Sequence, residues 1–351
     1  MIFKELEPTK FDKFACACPR GNFLQSREMY DRYQKNHTES YLLGLEKDDK
    51  ILAAALVRTA NSRFGKIFKI SGGPILDYDA KNAKNILSEF TKNCQDFCRK
   101  KGGIVLQISP NVVSEPRDIT GAVISGKNHL DIKSQLISLG FKYLGEHENA
   151  KWTYIIETKG KSADSLFPEL RRNHQRLIKR AEKSGLIIRD LAKDELKILK
   201  SISEKTGERH GFEDPSLKYY QEMSAAFGDK VKFKVCELPE ENGKITPIMA
   251  GMFIYYGDEI VCPYSGSLKE YQRYGGAHLM HWGIIKEAIN LGISRYNLYG
   301  THPDPESGIY HFKQGFNGRI EELLGTFILP LNTKGKIYAF LAKPTEYASI
   351  H

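Results

Sequence analysis

An order of elements that occurs twice is the strongest constraint on how this chain can fold. "YLLGLEKDDKILAAALVRTA" reads as two antiparallel strands joined by a turn at Lys47 to Lys50. "YDAKNAKNILSEFTKNCQDFCRKKGG" follows, with Ile86, Leu87, Phe90, Cys94 and Phe97 at helical spacing and Gly102-Gly103 as its stop. "IVLQI" (Ile104 to Ile108) then reads as a buried strand. The same order returns later. "VKFKVCELPEENGKITPIMAGMFIYYGDEIVCPY" gives strands joined by a polar turn at Pro239 to Lys244. A helix from about Gly276 to Leu291 follows, with Ala277, Met280, Ile284, Ala288 and Leu291 along one side, and "SRYNLYG" is the strand after it. Leu42 and Ile104 stand 62 positions apart, and so do Lys232 and Ser294. The halves share little sequence identity, so order and spacing carry the duplication. The expected class is α/β (α+β), with two copies of one unit, each a mixed sheet with helices packed on it. Residues 1–150 with 325–351 are expected to form the first domain and residues 151–324 the second. The junction falls within Gly145 to Glu157, and the tail from Glu321 adds a strand and a short helix to the first unit.

A chain of 351 residues has room for two such domains. Hydrophobic residues at 41% and charged residues at 27% describe a folded protein rather than a disordered one. The net charge of +9 favours a polyanionic partner: nucleic acid, a phosphorylated metabolite or an anionic membrane surface. No signal-peptide core opens the chain, and the longest aliphatic run, "ILAAALV", is far too short to span a bilayer, so a cytoplasmic protein is expected. The six cysteines lack paired zinc spacing and read as reduced thiols. His278 and His281 lie three apart on a helix with no third ligand nearby, so neither a metal nor another cofactor is expected. There is no G-x-S-x-G elbow, no Walker A loop and no constellation that announces a nucleophile.

Four stretches could carry chemistry. "QRYGGA" (Gln272 to Ala277) opens a helix, where backbone N–H groups and the helix dipole can cradle a phosphate such as that of CoA; a tight turn without a ligand fits the same residues. In "LFPELRRNHQRLIKRAEKSGL", Arg172, Arg176, Lys179, Arg180 and Lys183 recur at helical spacing, while Leu170, Leu177, Ile178 and Ala181 point elsewhere. Only Glu169 and Glu182 oppose that charge, which suits a phosphate backbone. Arg209, in a polar, Gly-interrupted stretch, could fork onto a phosphate or pair with Glu208 or Asp214. Lys313, between aromatic residues in "YHFKQGFNG", could stabilise charge at a reacting carbonyl or simply snorkel.

These residues reach a family resemblance. The stretch from Pro247 to Asn332 resembles the C-terminal core of the Fem aminoacyltransferases. "FLQSREMYDRYQKN" resembles that family's LQS opening, and "LRRNHQRLIKRAEKSGL" its basic RRN helix. The likeness spans roughly residues 20 to 332. It implies two tandem domains of the Gcn5-related N-acetyltransferase fold. It also implies transfer of an amino acid from aminoacyl-tRNA to a side-chain amine in the stem of a peptidoglycan precursor, either UDP-MurNAc-pentapeptide or a lipid-linked form. A CoA-dependent N-acetyltransferase is the alternative. The resemblance assigns precursor binding to Lys35 (with Lys47 and Lys50 not far off), Arg209 and Tyr264. It puts Phe312 and Lys313 at the tRNA acceptor end, Lys313 stabilising charge at the ester carbonyl. The basic face of Arg172, Arg176, Lys179, Arg180 and Lys183 is the expected tRNA-binding surface. A monomer is expected, with room for peripheral membrane contact.

Two departures matter. Where several members insert a long coiled-coil arm, this chain has only "PEENGK" (Pro239 to Lys244), which resembles the armless type. Where the family often has Asp-Pro after the first-domain strand, this chain has Ser109-Pro110, which removes a natural general-base candidate.

Overall fold

The computed structural model describes residues 1–145, 149–241 and 243–342. Residues 146–148 of the expected junction, Asn242 in the polar turn and residues 343–351 of the expected first domain lie outside the described residues. The chain divides into two compact units. One comprises Met1–Pro116, Ile124–Lys151 and the described residues from Glu322 on; the other comprises Arg117–Val123 and Trp152–Glu321.

The hairpin of the first unit pairs Ser40–Lys47 with Lys50–Ser62. Asp48 and Asp49 both adopt left-handed backbone (φ +50° and +60°), the geometry that a two-residue hairpin turn requires and that Asp tolerates. A third strand, Gly65–Gly72, pairs antiparallel with Lys50–Ser62 and parallel with Gly103–Pro110. This strand went unread in the sequence because Ile67, Phe68 and Ile70 are all buried and leave no clean alternation. Neighbouring strands run Ile2–Glu5, Ser40–Lys47, Lys50–Ser62, Gly65–Gly72, Gly103–Pro110, Phe327–Pro330, Lys142–Tyr143. Helix Ala83–Lys100 covers this sheet through Ile86, Leu87, Phe90, Cys94 and Cys98, with Phe97 only partly buried. The LQS residues have a structural task. Buried Gln25 donates to the carbonyls of Leu56 (3.1 Å) and Ser71 (2.8 Å) and accepts from the Leu56 N–H (2.7 Å), stitching two strands together. The Ser26 hydroxyl caps helix Arg27–Lys35 by accepting the Met29 N–H at 3.1 Å.

Strands of the second unit run Ile187–Asp190, Val231–Pro239, Ile245–Tyr256, Glu259–Ser267, Arg295–Gly300, Trp152–Glu157, Arg319–Leu323. The turn after Val231–Pro239 is closed by the Glu240 N–H on the Lys244 carbonyl at 2.7 Å, and no arm stands there. Helix Gly276–Asn290 is buried on more than the one side expected: Leu279, His281, Trp282 and Ile285 are inside along with Met280, Ile284 and Ala288. Helix Arg172–Lys183 packs against it, which accounts for the second buried side. Leu291 lies past the helix end and is exposed.

The two units differ in their parallel strand pair. In the first, Gly65–Gly72 and Gly103–Pro110 stay paired from Lys66↔Gly103 to Gly72↔Pro110. In the second, Glu259–Ser267 and Arg295–Gly300 pair only from Glu259↔Arg295 to Val261↔Asn297 and then part. Only the second unit therefore opens a wedge between its central strands.

Candidate active site

The wedge begins where Cys262 to Ser267 leave their parallel neighbour. Across from them, strand Arg295–Gly300 carries one extra residue against Trp152–Glu157: Asn297 faces Ile155, but Gly300 faces Thr153. A bulge of this kind re-aims the backbone. Tyr299 sits in it at φ +60°, a left-handed conformation rare for a large aromatic residue.

The bulge turns two carbonyls onto Lys313. The Lys313 ammonium donates to the Tyr299 carbonyl at 3.2 Å and also to that of Gly300. Lys313 is 8% exposed, and helix Gly308–Gln314 carries it into the wedge. Burial disfavours the charged amine and lowers its pKa to about 7, while the nearby Cys262 pulls weakly the other way. Of the alternatives open for this lysine, snorkelling is excluded by its burial.

Phe312, half-buried, packs against imidazoles. Its ring lies 5.0 Å from His278, 5.5 Å from His281 and 5.6 Å from His174. Burial pushes His278 and His281 down to about 3 and lowers His174 as well. Among the described residues no three His, Cys, Asp or Glu side chains gather as a metal site would need. This imidazole cluster gave no sequence signal beyond the His278–His281 spacing, because His174 comes from another helix.

His174 ties the basic helix to the wedge. Its Nε2 lies 2.8 Å from the Phe312 carbonyl. Arg171 reinforces the link, its N–H on the Gly315 carbonyl (2.9 Å) and its Nη2 on Gln314 Oε1 (3.0 Å). Gly315 is required here, since a Cβ would fall 1.9 Å from the His174 ring. Arg172, Arg176, Lys179, Arg180 and Lys183 are all exposed, and Ile178 and Ala181 buried, as the helical spacing predicts.

Arg209 lies in the last turn of helix Leu196–His210, which Gly211 ends in left-handed backbone. Its Nη1 donates to the Ser267 carbonyl at 3.1 Å, at the far end of the parted strand. No carboxylate of the described residues pairs with it. Asp214, one of its expected partners, is held instead by Lys200 at 3.1 Å and by the Tyr220 hydroxyl at 2.7 Å. Tyr264, on the same strand, packs edge-on against Tyr219 and Tyr220. One parted strand thus holds Tyr264 and the Ser267 carbonyl that Arg209 contacts, and the other holds the Tyr299 and Gly300 carbonyls that Lys313 contacts. Lys35 belongs to the first unit, exposed at the end of helix Arg27–Lys35.

Two other sequence features acquire local explanations. A Cβ on Gly275 would fall 2.4 Å from the Leu177 carbonyl, and one on Gly276 2.9 Å from Ile248. On their Cα side these glycines allow close packing against Leu177 and Ile248. Ser109 is fully buried and shares a 3.0 Å hydroxyl hydrogen bond with Thr326.

The FemAB family model matches residues 6–241 and 234–343, two stretches that meet at the turn where an arm could be inserted. Aminoacyltransferase FemA of Staphylococcus epidermidis is 24% identical over 405 aligned residues, covering 95% of this chain and 96% of that protein. Among solved structures, FemX superposes with a TM-score of 0.82 at 17% identity, covering 98% of this chain and 100% of that one. A tandem GNAT protein from the clavulanic acid biosynthesis pathway superposes at 0.56 with 8% identity, over 94% of this chain and 98% of that one.

Proposed function

The chain belongs to the FemAB family, and from that premise we propose that this aminoacyltransferase moves an amino acid from aminoacyl-tRNA onto a side-chain amine of a peptidoglycan stem peptide, building a bridge between stems. The observation that carries the reading is a buried lysine at the parted strand pair, on a helix tied directly to an exposed basic helix. UDP-MurNAc-pentapeptide or its lipid-linked form is the acceptor. We take the enzyme to act as a cytoplasmic monomer, with peripheral membrane contact if the acceptor is lipid-linked.

The acceptor amine attacks the ester carbonyl carbon of the aminoacyl group. A C–N bond forms, the C–O bond to the ribose breaks, and the amine's proton ends on the leaving ribose hydroxyl. Negative charge develops on the carbonyl oxygen in between. An ammonium has three donors. Two of those on Lys313 are held by the Tyr299 and Gly300 carbonyls, leaving one for the oxyanion. Phe312 walls the acceptor end of the tRNA, and Arg172, Arg176, Lys179, Arg180 and Lys183 take its phosphates. Arg209, Tyr264 and Lys35 bind the precursor, Arg209 on its diphosphate. The sequence has Ser109 where the family often has Asp, and the substrates carry the proton themselves.

Incubation with tRNA charged with Gly, Ala or Ser, and with each precursor in turn, followed by product mass spectrometry, tests the proposal. No adduct with any combination would sink it. A CoA-dependent N-acetyltransferase is the rival reading, and the tie between the lysine-bearing helix and the exposed basic helix favours the tRNA donor over it. Micromolar binding of acetyl-CoA in calorimetry would reverse that preference.

A further inference from the structure

Asn297 is a buried polar residue that the proposed chemistry leaves without a task. Its side chain makes two hydrogen bonds. Nδ2 donates to Glu259 Oε1 at 3.1 Å, and Oδ1 accepts the N–H of Tyr299 at 2.7 Å. Glu259 Oε1 also receives the Arg295 guanidinium at 3.0 Å, so this carboxylate is ionised and can only accept. The amide therefore turns its NH2 toward Glu259, which fixes Oδ1 on the Tyr299 N–H. Arg295 is anchored from the other side by Glu321 at 3.6 Å.

The consequence falls on Tyr299. A large L-residue resists left-handed backbone, and here a local acceptor holds its N–H in that conformation at φ +60°. The same bulge presents the Tyr299 and Gly300 carbonyls to Lys313. We propose that Asn297 is a positioning residue for the transfer reaction: through Tyr299 it holds the two backbone carbonyls that orient the Lys313 ammonium in the wedge. The inference rests on the proposed role of Lys313. Asn297 touches no reacting atom, and its effect passes through the backbone.

Glycine adopts left-handed backbone freely, which gives a specific test. Wild type, Asn297→Ala, Tyr299→Gly and the double variant are compared for kcat and KM with charged tRNA and precursor. Asn297→Ala is expected to lower kcat by about 10- to 100-fold, the range a misplaced catalytic group costs, with KM little changed. In the Tyr299→Gly background, where left-handed backbone carries no Cβ strain for Asn297 to offset, the same change should cost roughly twofold or less. Equal costs in both backgrounds, or an unchanged kcat in Asn297→Ala, would overturn the proposal. A substrate-free readout separates this idea from the functional one. Removing the carbonyl acceptors disfavours the ammonium, so the Lys313 titration midpoint, followed by NMR of isotope-labelled lysine and assigned with Lys313→Met, should fall in Asn297→Ala and recover in the double variant. If no aminoacyl transfer is found but that midpoint moves as stated, the functional reading fails, while the hold of Asn297 on the Lys313 ammonium stands for whatever reaction this site performs. A midpoint that stays put in Asn297→Ala removes the role whatever the activity.

Discussion

Lys313 donates a hydrogen bond to the carbonyl of Tyr299, 3.2 Å away, and Tyr299 is held at φ +60° to offer it. Among the described residues, a cation buried in a wedge of parted strands is thus hydrogen-bonded by backbone carbonyls alone. Burial lowers its pKa to about 7, against an ordinary 10.5. If the ammonium is the form that stabilises the oxyanion, kcat falls as pH rises through about 7. Lys313→Met should lower kcat by roughly 100-fold or more, as loss of an oxyanion donor does, with a smaller change in KM. It should also abolish that limb of the pH profile. Steady-state rates from pH 6 to pH 9 with saturating charged tRNA check both, and a profile that rises across the range would reverse the protonation state assigned to Lys313.

The same depressed pKa predicts a stability signature. Folded, Lys313 gives up its proton near pH 7; unfolded, near 10.5. Between those values the unfolded chain holds one more proton, so this group makes the folded state more stable as pH rises through that window and contributes a constant penalty below it. Tyrosine and cysteine groups that titrate higher oppose the trend, so the comparison must be made against Lys313→Met, which retains them. Urea denaturation at pH 7, 8 and 9 should show wild type gaining on the variant with each step. A constant difference would mean that Lys313 is not desolvated as its burial implies.

Much of this fold was legible from the sequence because its cues are local. The Asp48-Asp49 turn, the apolar side of helix Ala83–Lys100 and the short Pro239-to-Lys244 connection each follow from neighbouring residues. Strand Gly65–Gly72 escaped because both its faces are covered, which erases the period-two pattern. The basic face of Arg172–Lys183 was legible for the same reason that any exposed helical stripe is. The wedge was not. It depends on where a parallel pair stops, on one extra residue facing Trp152–Glu157 and on a left-handed Tyr299, none of which has a residue-type signal. "RYNLYG" does place an Asn two residues before Tyr299, the spacing of a side chain that caps the backbone two residues on. That cue acquires meaning only once Lys313 is seen against the same carbonyls. The glycines of "QRYGGA" also have a packing task invisible in the sequence, against Leu177 and Ile248.

Arg209 meets no carboxylate of the described residues and is fixed by the Ser267 carbonyl. Its Nε also donates to His210 Nε2 at 3.0 Å, which leaves Nη2 to donate to a diphosphate oxygen. Arg209→Ala should weaken precursor binding by about 1.5–3 kcal/mol, the worth of one charge-assisted hydrogen bond, and leave tRNA binding unaltered. Calorimetry with UDP-MurNAc-pentapeptide against wild type and variant measures it. Equal affinities would remove Arg209 from the precursor site.

The imidazole cluster should set the acid limit of stability. His278 and His281 are held near 3, and unfolding returns them to about 6.5. The unfolded chain binds the extra protons, so stability is lost as pH falls from about 6.5 toward 3. His278→Phe keeps a ring against Phe312 and removes one of these groups. Its chemical denaturation midpoint should fall less steeply than that of wild type between pH 6.5 and pH 4.5. Parallel slopes would show that His278 is already neutral in the unfolded chain, or charged in the folded one.

The exposed face of helix Arg172–Lys183 bears directly on the donor. Arg172, Arg176, Lys179, Arg180 and Lys183 all project to solvent, and two tethers from this segment run to the lysine-bearing helix: His174 on Phe312 and Arg171 on Gln314. A polyanion on this face would sit on a helix tethered to the segment that carries Lys313. Replacing Arg176 and Lys179 with Ala should weaken tRNA binding at low salt and flatten its dependence on salt. The log–log slope should drop by roughly one for each phosphate that is no longer neutralised. Filter binding of charged tRNA at several salt concentrations reads the slope. The stability of the fold should barely move, because among the described residues the Arg176 side chain reaches only Asn173, at 2.8 Å, and Lys179 only the ring of Phe167, at 5.6 Å. A variant with the wild-type slope would place the donor's phosphates elsewhere on the chain. One with the expected slope but unchanged kcat at saturating tRNA would confine this helix to binding and leave the chemistry to the wedge.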